Sequence, residues 1–89
     1  MRFDWDKRKA NGNLKKHGVT FDEAIRVFID PLAATIPDPD HSAGEHRFLT
    51  IGLSATGRLV VVAHSDEDDV IRIISAREAT RHERKNYES

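Results

Sequence analysis

Ile71-Arg72-Ile73-Ile74-Ser75-Ala76-Arg77-Glu78-Ala79 decides how this chain folds, because an apolar strand pattern runs there into a helix signature with no spacer. Ser75 and Glu78 have the S-x-x-E spacing of a capping box, in which the Ser hydroxyl accepts a backbone N–H of the first helical turn and the Glu reaches back to the cap. Ile74 and Ala79 occupy the hydrophobic-staple positions. The spacing predicts a helix that starts within a residue of Ser75 and runs from 76 towards 87. Arg72 at the strand end and Arg77 in the first turn would then flank a helix N-terminus, whose free N–H groups and positive dipole end attract anions. That outlines a phosphate site. The plain alternative is that both arginines pair with surface carboxylates, which the 15 acidic residues can supply.

Upstream of this stretch, residues 47–53, 58–64 and 70–75 read as strands, with a hairpin loop at 54–57 and an acidic turn at 65–69. Val60-Val61-Val62 is apolar on both faces, which makes the 58–64 strand central. Residues 33–36 add a first strand, followed by a turn-rich acidic stretch at 37–44. Strands so closely spaced leave no room for crossover helices, so an antiparallel meander of three to four strands is expected. Before it, Phe3-Asp4-Trp5 reads as a short strand or an extended lead-in. Asp6 is then the N-cap of a helix over 7–17, and Gly18 its stop. Lys9, Asn13, Lys16 and His17 share the polar face of that helix, while Ala10 and Leu14 give a thin apolar stripe. Thr20-Phe21-Asp22-Glu23 forms a second capping box, and Phe21, Ala24, Ile25 and Phe28 make the core stripe of a second helix, ended by Asp30-Pro31. The fold class is α+β: two N-terminal helices, an antiparallel sheet, and a C-terminal helix with Arg77, Arg81 and Arg84 on one face.

The length of 89 residues and a hydrophobic content of 38% bound the chain to one small domain, 1–89, with one core. No cysteine is present, which excludes a disulfide framework and a thiolate zinc site and fits a reducing cytoplasm. The first residues are too acidic for a signal peptide, and no apolar run is long enough to cross a bilayer, so no membrane partner is expected. The net charge of −1 conceals a division: residues 1–19 sum to +4, residues 20–69 to −7 and residues 70–89 to +2. If the two ends meet in space they make a basic patch suited to a polyanion.

Five histidines invite a metal reading, but none has H-x-x-x-H spacing on a helix and no carboxylate completes a set, so no metal is assigned. Phosphate-loop, dinucleotide and nucleophile-elbow motifs are absent. What remains is a set of Lys, Arg, His, Glu and Tyr side chains, and metal-free RNA cleavage needs only those types. A base removes the 2′-OH proton, the 2′-oxygen attacks phosphorus, cations hold the developing charge and an acid protonates the 5′-oxygen. Arg72 and Arg77 fit the cation role, Lys9 can join them, and Glu45 or His17 can serve as base.

Trp5-Asp6, Lys9, Asn13, Lys16-His17-Gly18-Val19, Phe21, Glu23-Ala24 and Phe28 at the front form an ordered set with Glu45-x-Arg47 and Gly52 in the middle. Arg72-x-Ile74-Ser75-Ala76-Arg77-x-Ala79 and Glu83-Arg84-x-x-Tyr87 complete it at the end. In this order and spacing the chain resembles the BrnT family, the toxin half of a bacterial type II toxin–antitoxin system. The resemblance implies a RelE-like fold and a ribonuclease activity that halts translation, with no cofactor. It also implies neutralisation by a BrnA-type antitoxin whose ribbon-helix-helix dimer binds the operon's promoter, so that DNA is a partner only through the complex. Its polar positions, with the basic helix faces, become candidates: Lys9, Glu45, Arg47, Arg72, Arg77 and Glu83 for catalysis, and Lys16, His17, Arg81, Arg84 and Tyr87 for holding RNA. Trp5 reads as a core anchor, Tyr87 as a base-stacking group or a pin for the last turn, and His17 as a cap for helix carbonyls. Two other functions share such a fold: a toxin that binds DNA gyrase without catalysis, and an interaction module whose basic ends bind an acidic antitoxin.

Overall fold

Alternating apolar residues in five segments build one mixed sheet, β1 (Arg2–Trp5), β2 (Ala34–Pro37), β3 (Arg47–Leu53), β4 (Leu59–Glu67) and β5 (Val70–Glu78), in the order β1-β5-β4-β3-β2. The structure, a computed structural model, describes residues 1–39 and 46–88. Helix α1 (Lys7–His17), the single turn α2 (Phe21–Ala24) and a 3₁₀ segment at Ile25–Ile29 supply the core stripe for one face, where Phe21, Ala24 and Val27 meet Val60, Val62, Ile71 and Ile73. Trp5 joins this core edge-on to Phe21, with ring centroids 5.9 Å apart, as an anchor should. Helix α3 (Arg81–Glu88) lies against the opposite face.

The caps of α1 follow the sequence: the Asp6 side chain accepts from the backbone of Arg8 and Lys9, and Gly18 adopts the left-handed conformation at φ 70°. Gly52 serves a different need. A Cβ there would stand 3.1 Å from both Val27 Cγ1 and the Val27 carbonyl, so a side chain would push the 3₁₀ segment outward by a few tenths of an ångström, and glycine lets it lie directly on β3.

Several expectations are corrected. The sheet has five strands, because β1 pairs in parallel with β5 and β2 is an exposed edge. The second N-terminal helix is one α turn that tightens into 3₁₀. Residues 65–67 belong to β4, which leaves a tight turn with Asp68 at φ 56°. The main correction concerns the deciding stretch itself. Ser75, Ala76, Arg77 and Glu78 pair with Ala63, Val62, Val61 and Val60, and the Ala79 N–H donates to the Leu59 carbonyl at 2.9 Å. Those ladder bonds satisfy the backbone that the capping box would have claimed, and the helix begins only at Arg81. The working capping box is Thr80–Glu83: the Glu83 N–H donates to Thr80 Oγ1 at 3.2 Å and the Thr80 N–H to Glu83 Oε1 at 2.9 Å.

Asn13 is also corrected, from the polar face of α1 to the interior. Its amide accepts from Ala76 N–H at 3.0 Å and donates to the Ala76 and Val19 carbonyls at 2.8 and 2.9 Å. β1 ends beside Ile73, so the Asn13 amide takes the place of a strand partner at the next free stretch of β5. α1 thereby lies along the sheet edge.

Candidate functional site

Register places the cations. Arg47 on β3 stands opposite Ser65 on β4, Ser65 stands opposite Arg72 on β5, and Arg72 stands opposite Asp4 on β1. Residues opposite one another across a pleated sheet point to the same face, here the one away from the core that α2 and the 3₁₀ segment cover. Two strand spacings put the Cα atoms of Arg47 and Arg72 about 10 Å apart with the small Ser65 between them. Lys9, brought to the sheet edge by the Asn13 anchor, joins them, and together with Ile74, Asp66, Glu67 and His46 they line a cleft of about 470 Å³. Arg72 donates one N–H to Asp4, and a guanidinium keeps further donors for an anion.

A β-bulge shapes this cleft. Ala63 pairs with Ser75 and His64 with Ile73, which leaves Ile74 without a partner on β4. The extra residue returns Ala76 to the core and turns Arg77 to the same face as Arg72. The two arginines nonetheless do not converge, since five residues of strand separate them by roughly 15 Å. The anion site at a helix N-terminus is therefore not formed. Arg77 donates instead to both Glu83 oxygens, at 2.7 and 2.9 Å, and this bond holds the Glu83 carboxyl down at about 2.

Glu83 and Tyr87 line a separate apolar groove of about 240 Å³ between α3 and the sheet, with Ile36, Leu49, Ile51 and Val61. The Tyr87 hydroxyl donates to Asp30 at 2.5 Å, which lowers the Asp30 pKa and raises that of the phenol. This geometry matches the pin rather than the stacking platform. Arg81 and Arg84 are exposed on α3, Arg84 at 4.0 Å from Glu88, and Lys16 and half-buried His17 end α1; none of the four lines the cleft. Glu45 falls in residues 40–45, outside the described residues, as does most of the acidic 37–44 stretch. Of the candidates, the structure thus brings Lys9, Arg47 and Arg72 together.

Ser65, Asp66 and Glu67 are cleft residues that sequence reasoning missed, because all three fall in the expected turn at 65–69. Strand alternation carried past residue 64 would have found them. A second polar cluster lies under the sheet: buried His64 bonds Thr50 through Nε2 and Asp66 through Nδ1, both at 2.7 Å, and Thr50 bonds Thr35. Burial pushes the His64 pKa down, opposed by Asp66. A neutral ring that donates from Nδ1 to the carboxylate accepts from the Thr50 hydroxyl, so every polar atom of the cluster is used.

The model of the family described as "Ribonuclease toxin, BrnT, of type II toxin-antitoxin system" matches residues 5–83. The chain belongs to the BrnT family. The match takes in Lys9, Arg47, Arg72, Arg77 and Glu83 and stops short of Arg84 and Tyr87. The fold agrees with a 1.1 Å crystal structure of the Brucella abortus ribonuclease toxin BrnT at a TM-score of 0.72 and 25% identity. The alignment covers 91% of this chain and 99% of that one. No curated protein sequence matches the chain. Membership in BrnT makes it a type II toxin by family, which implies an RNA target and an antitoxin partner.

Proposed function

We propose that this BrnT member is a metal-independent endoribonuclease that blocks translation by cutting RNA through 2′-OH attack. The observation that carries the reading is the cross-strand row Arg47–Ser65–Arg72 beside Lys9. A phosphodiester seated over Ser65 would take charge-assisted hydrogen bonds from a guanidinium on either side, with the Lys9 ammonium as a third cation. Attack by the 2′-oxygen builds negative charge on the non-bridging oxygens. Cations held by strand pairing meet that charge without reorganising, the usual source of the largest catalytic term. Arg77, Glu83 and Tyr87 serve the placement of α3 in this reading.

The fold is read as RelE-like and the chain as one cytoplasmic domain. Its partner is read as a BrnA-type ribbon-helix-helix antitoxin, through which alone the complex meets promoter DNA. The test of the activity is incubation of the purified chain with end-labelled RNA, free and ribosome-bound, in excess EDTA, beside an Arg47→Ala/Arg72→Ala variant. Cleavage by the wild type alone, leaving 2′,3′-cyclic phosphate ends, is the expected outcome. Intact RNA in every wild-type lane, or equal cleavage by the folded variant, overturns it.

A further inference from the structure

We infer that Glu67 is the general base of this cleft, an assignment that rests on the ribonuclease reading above. Three acid–base groups line the cleft besides its cations: His46, Asp66 and Glu67. Strand alternation separates them. His64 and Asp66, two residues apart, point to the helix-covered side, where Asp66 is engaged by the His64 ring at 2.7 Å. His46 stands just before β3, outside the ladder that pairs Arg47 with Ser65, so strand pairing does not hold it in the row as it holds Glu67. Glu67 lies two residues from Ser65 and opposite Val70, on the face that carries Arg72, roughly 7 Å along the strand from the seat of the phosphate. That separation suits a group that must reach the 2′-oxygen of the nucleotide rather than its phosphorus.

The surroundings fit the role. Glu67 lines both the cleft and an adjoining hollow of about 300 Å³ shared with Asp4, Ser65, Asp68, Val70 and Arg72. Lys9, Arg47 and Arg72 are the cations of this surface, and Asp4 and Asp68 its further carboxylates, of which Asp4 is already bound to Arg72. Among the described residues Glu67 itself holds no ion pair, so its oxygens are open to a substrate proton. In the step, the Glu67 carboxylate takes the 2′-OH proton, the 2′-oxygen bonds to phosphorus, and the bond from phosphorus to the 5′-oxygen breaks. The departing 5′-oxygen takes a proton from water, and Glu67 then releases its own to solvent.

The bland role and the catalytic one predict opposite signs. An acidic side chain beside bound phosphates repels RNA, so if Glu67 is only a surface charge, Glu67→Gln tightens binding and leaves kcat equal or higher. If it is the base, Glu67→Gln lowers kcat by about 100-fold or more while binding of a 2′-O-methyl RNA stays equal or tightens. Glu67 is exposed at the end of β4, and thermal melting of the variant confirms that it folds. A measurement on the wild type needs no variant: the acid limb of its kcat/KM profile should coincide with the titration of the Glu67 carboxyl in the free protein, followed by carbon NMR. Active wild type with undiminished Glu67→Gln, or an acid limb that follows another group, overturns the assignment alone. Wild type that cleaves no RNA overturns the ribonuclease reading and this one with it.

Discussion

Glu23 shows how one side chain ties distant parts of this chain together. It is 9% exposed and accepts from Arg58 Nε and Nη2, each at 2.7 Å, from Ser54 Oγ at 2.6 Å and from Thr56 Oγ1 at 2.7 Å. These bonds, Arg58 foremost, hold its carboxyl down at about 2 against the cost of burial. An unfolded glutamate titrates near 4.3, so the folded pKa is the lower one. The stabilisation is therefore complete above about pH 4.5 and disappears as the pH falls towards 2. Glu23→Gln should cost about 2–3 kcal/mol at neutral pH, because it leaves Arg58 and two hydroxyls short of an acceptor. It should also flatten the loss of stability between pH 4.5 and 2. Urea midpoints at pH 7, 4 and 3 check both, and a variant with the wild-type acid profile would refute the account. In the sequence Glu23 reads as the closing member of a capping box. Half of that reading is realised, since Thr20 Oγ1 accepts from the Glu23 N–H at 3.0 Å, but the carboxylate goes to Arg58, 35 residues away. Nothing local announces a partner at that distance.

At the scale of elements, two successive capping signatures compete for one helix start. Ser75–Glu78 and Thr80–Glu83 have the same spacing, and each could begin a helix by local chemistry alone. β4 decides between them, because a strand continued to Glu78 keeps the backbone bonded to a buried central strand. A helix begun at Ser75 would forfeit that ladder and the Asn13 bonds to Ala76. The contest has a direct check by single substitution. Thr80→Ala should cost about 1 kcal/mol and raise amide exchange through α3, whereas Ser75→Ala should stay within about 0.5 kcal/mol of wild type. The reverse order of effects would show that the upstream box caps the helix. The same pairing explains the bulge at Ile74, which keeps Ile73 and Ala76 in the core on either side of it.

Over the whole molecule, a net charge of −1 coexists with a cationic cleft because the two basic ends do meet: Lys9 comes from α1 and Arg72 from β5, and Arg47 joins them from the acidic middle. Such a surface should bind RNA with a strong dependence on salt. Each phosphate-bound cation removed lowers the slope of log K against log salt by about 0.7 for a single strand. Arg47→Ala/Arg72→Ala should thus lower it by about 1.4, measured by fluorescence anisotropy between 50 and 200 mM salt. An equal loss in Arg81→Ala/Arg84→Ala with none in the cleft variant would relocate the RNA path to α3.

What the sequence determined by itself is what short-range chemistry controls. Asp6 and Gly18 bound α1, Phe21, Ala24, Ile25 and Phe28 make a core stripe, and alternation places β3, β4 and most of β5. These features depend on residues a few positions apart, whose preferences survive in almost any context. Tertiary structure decided which of two helix signals is used, which polar side chains are buried, and which residue lies across from which. Lys9, Arg47 and Arg72 are visible in the chain as basic residues, but their meeting around Ser65 is a matter of strand register. Register is set by two hairpins, a bulge and the burial of one face acting together, and a long-range pairing of that kind has no signature at any one of its residues.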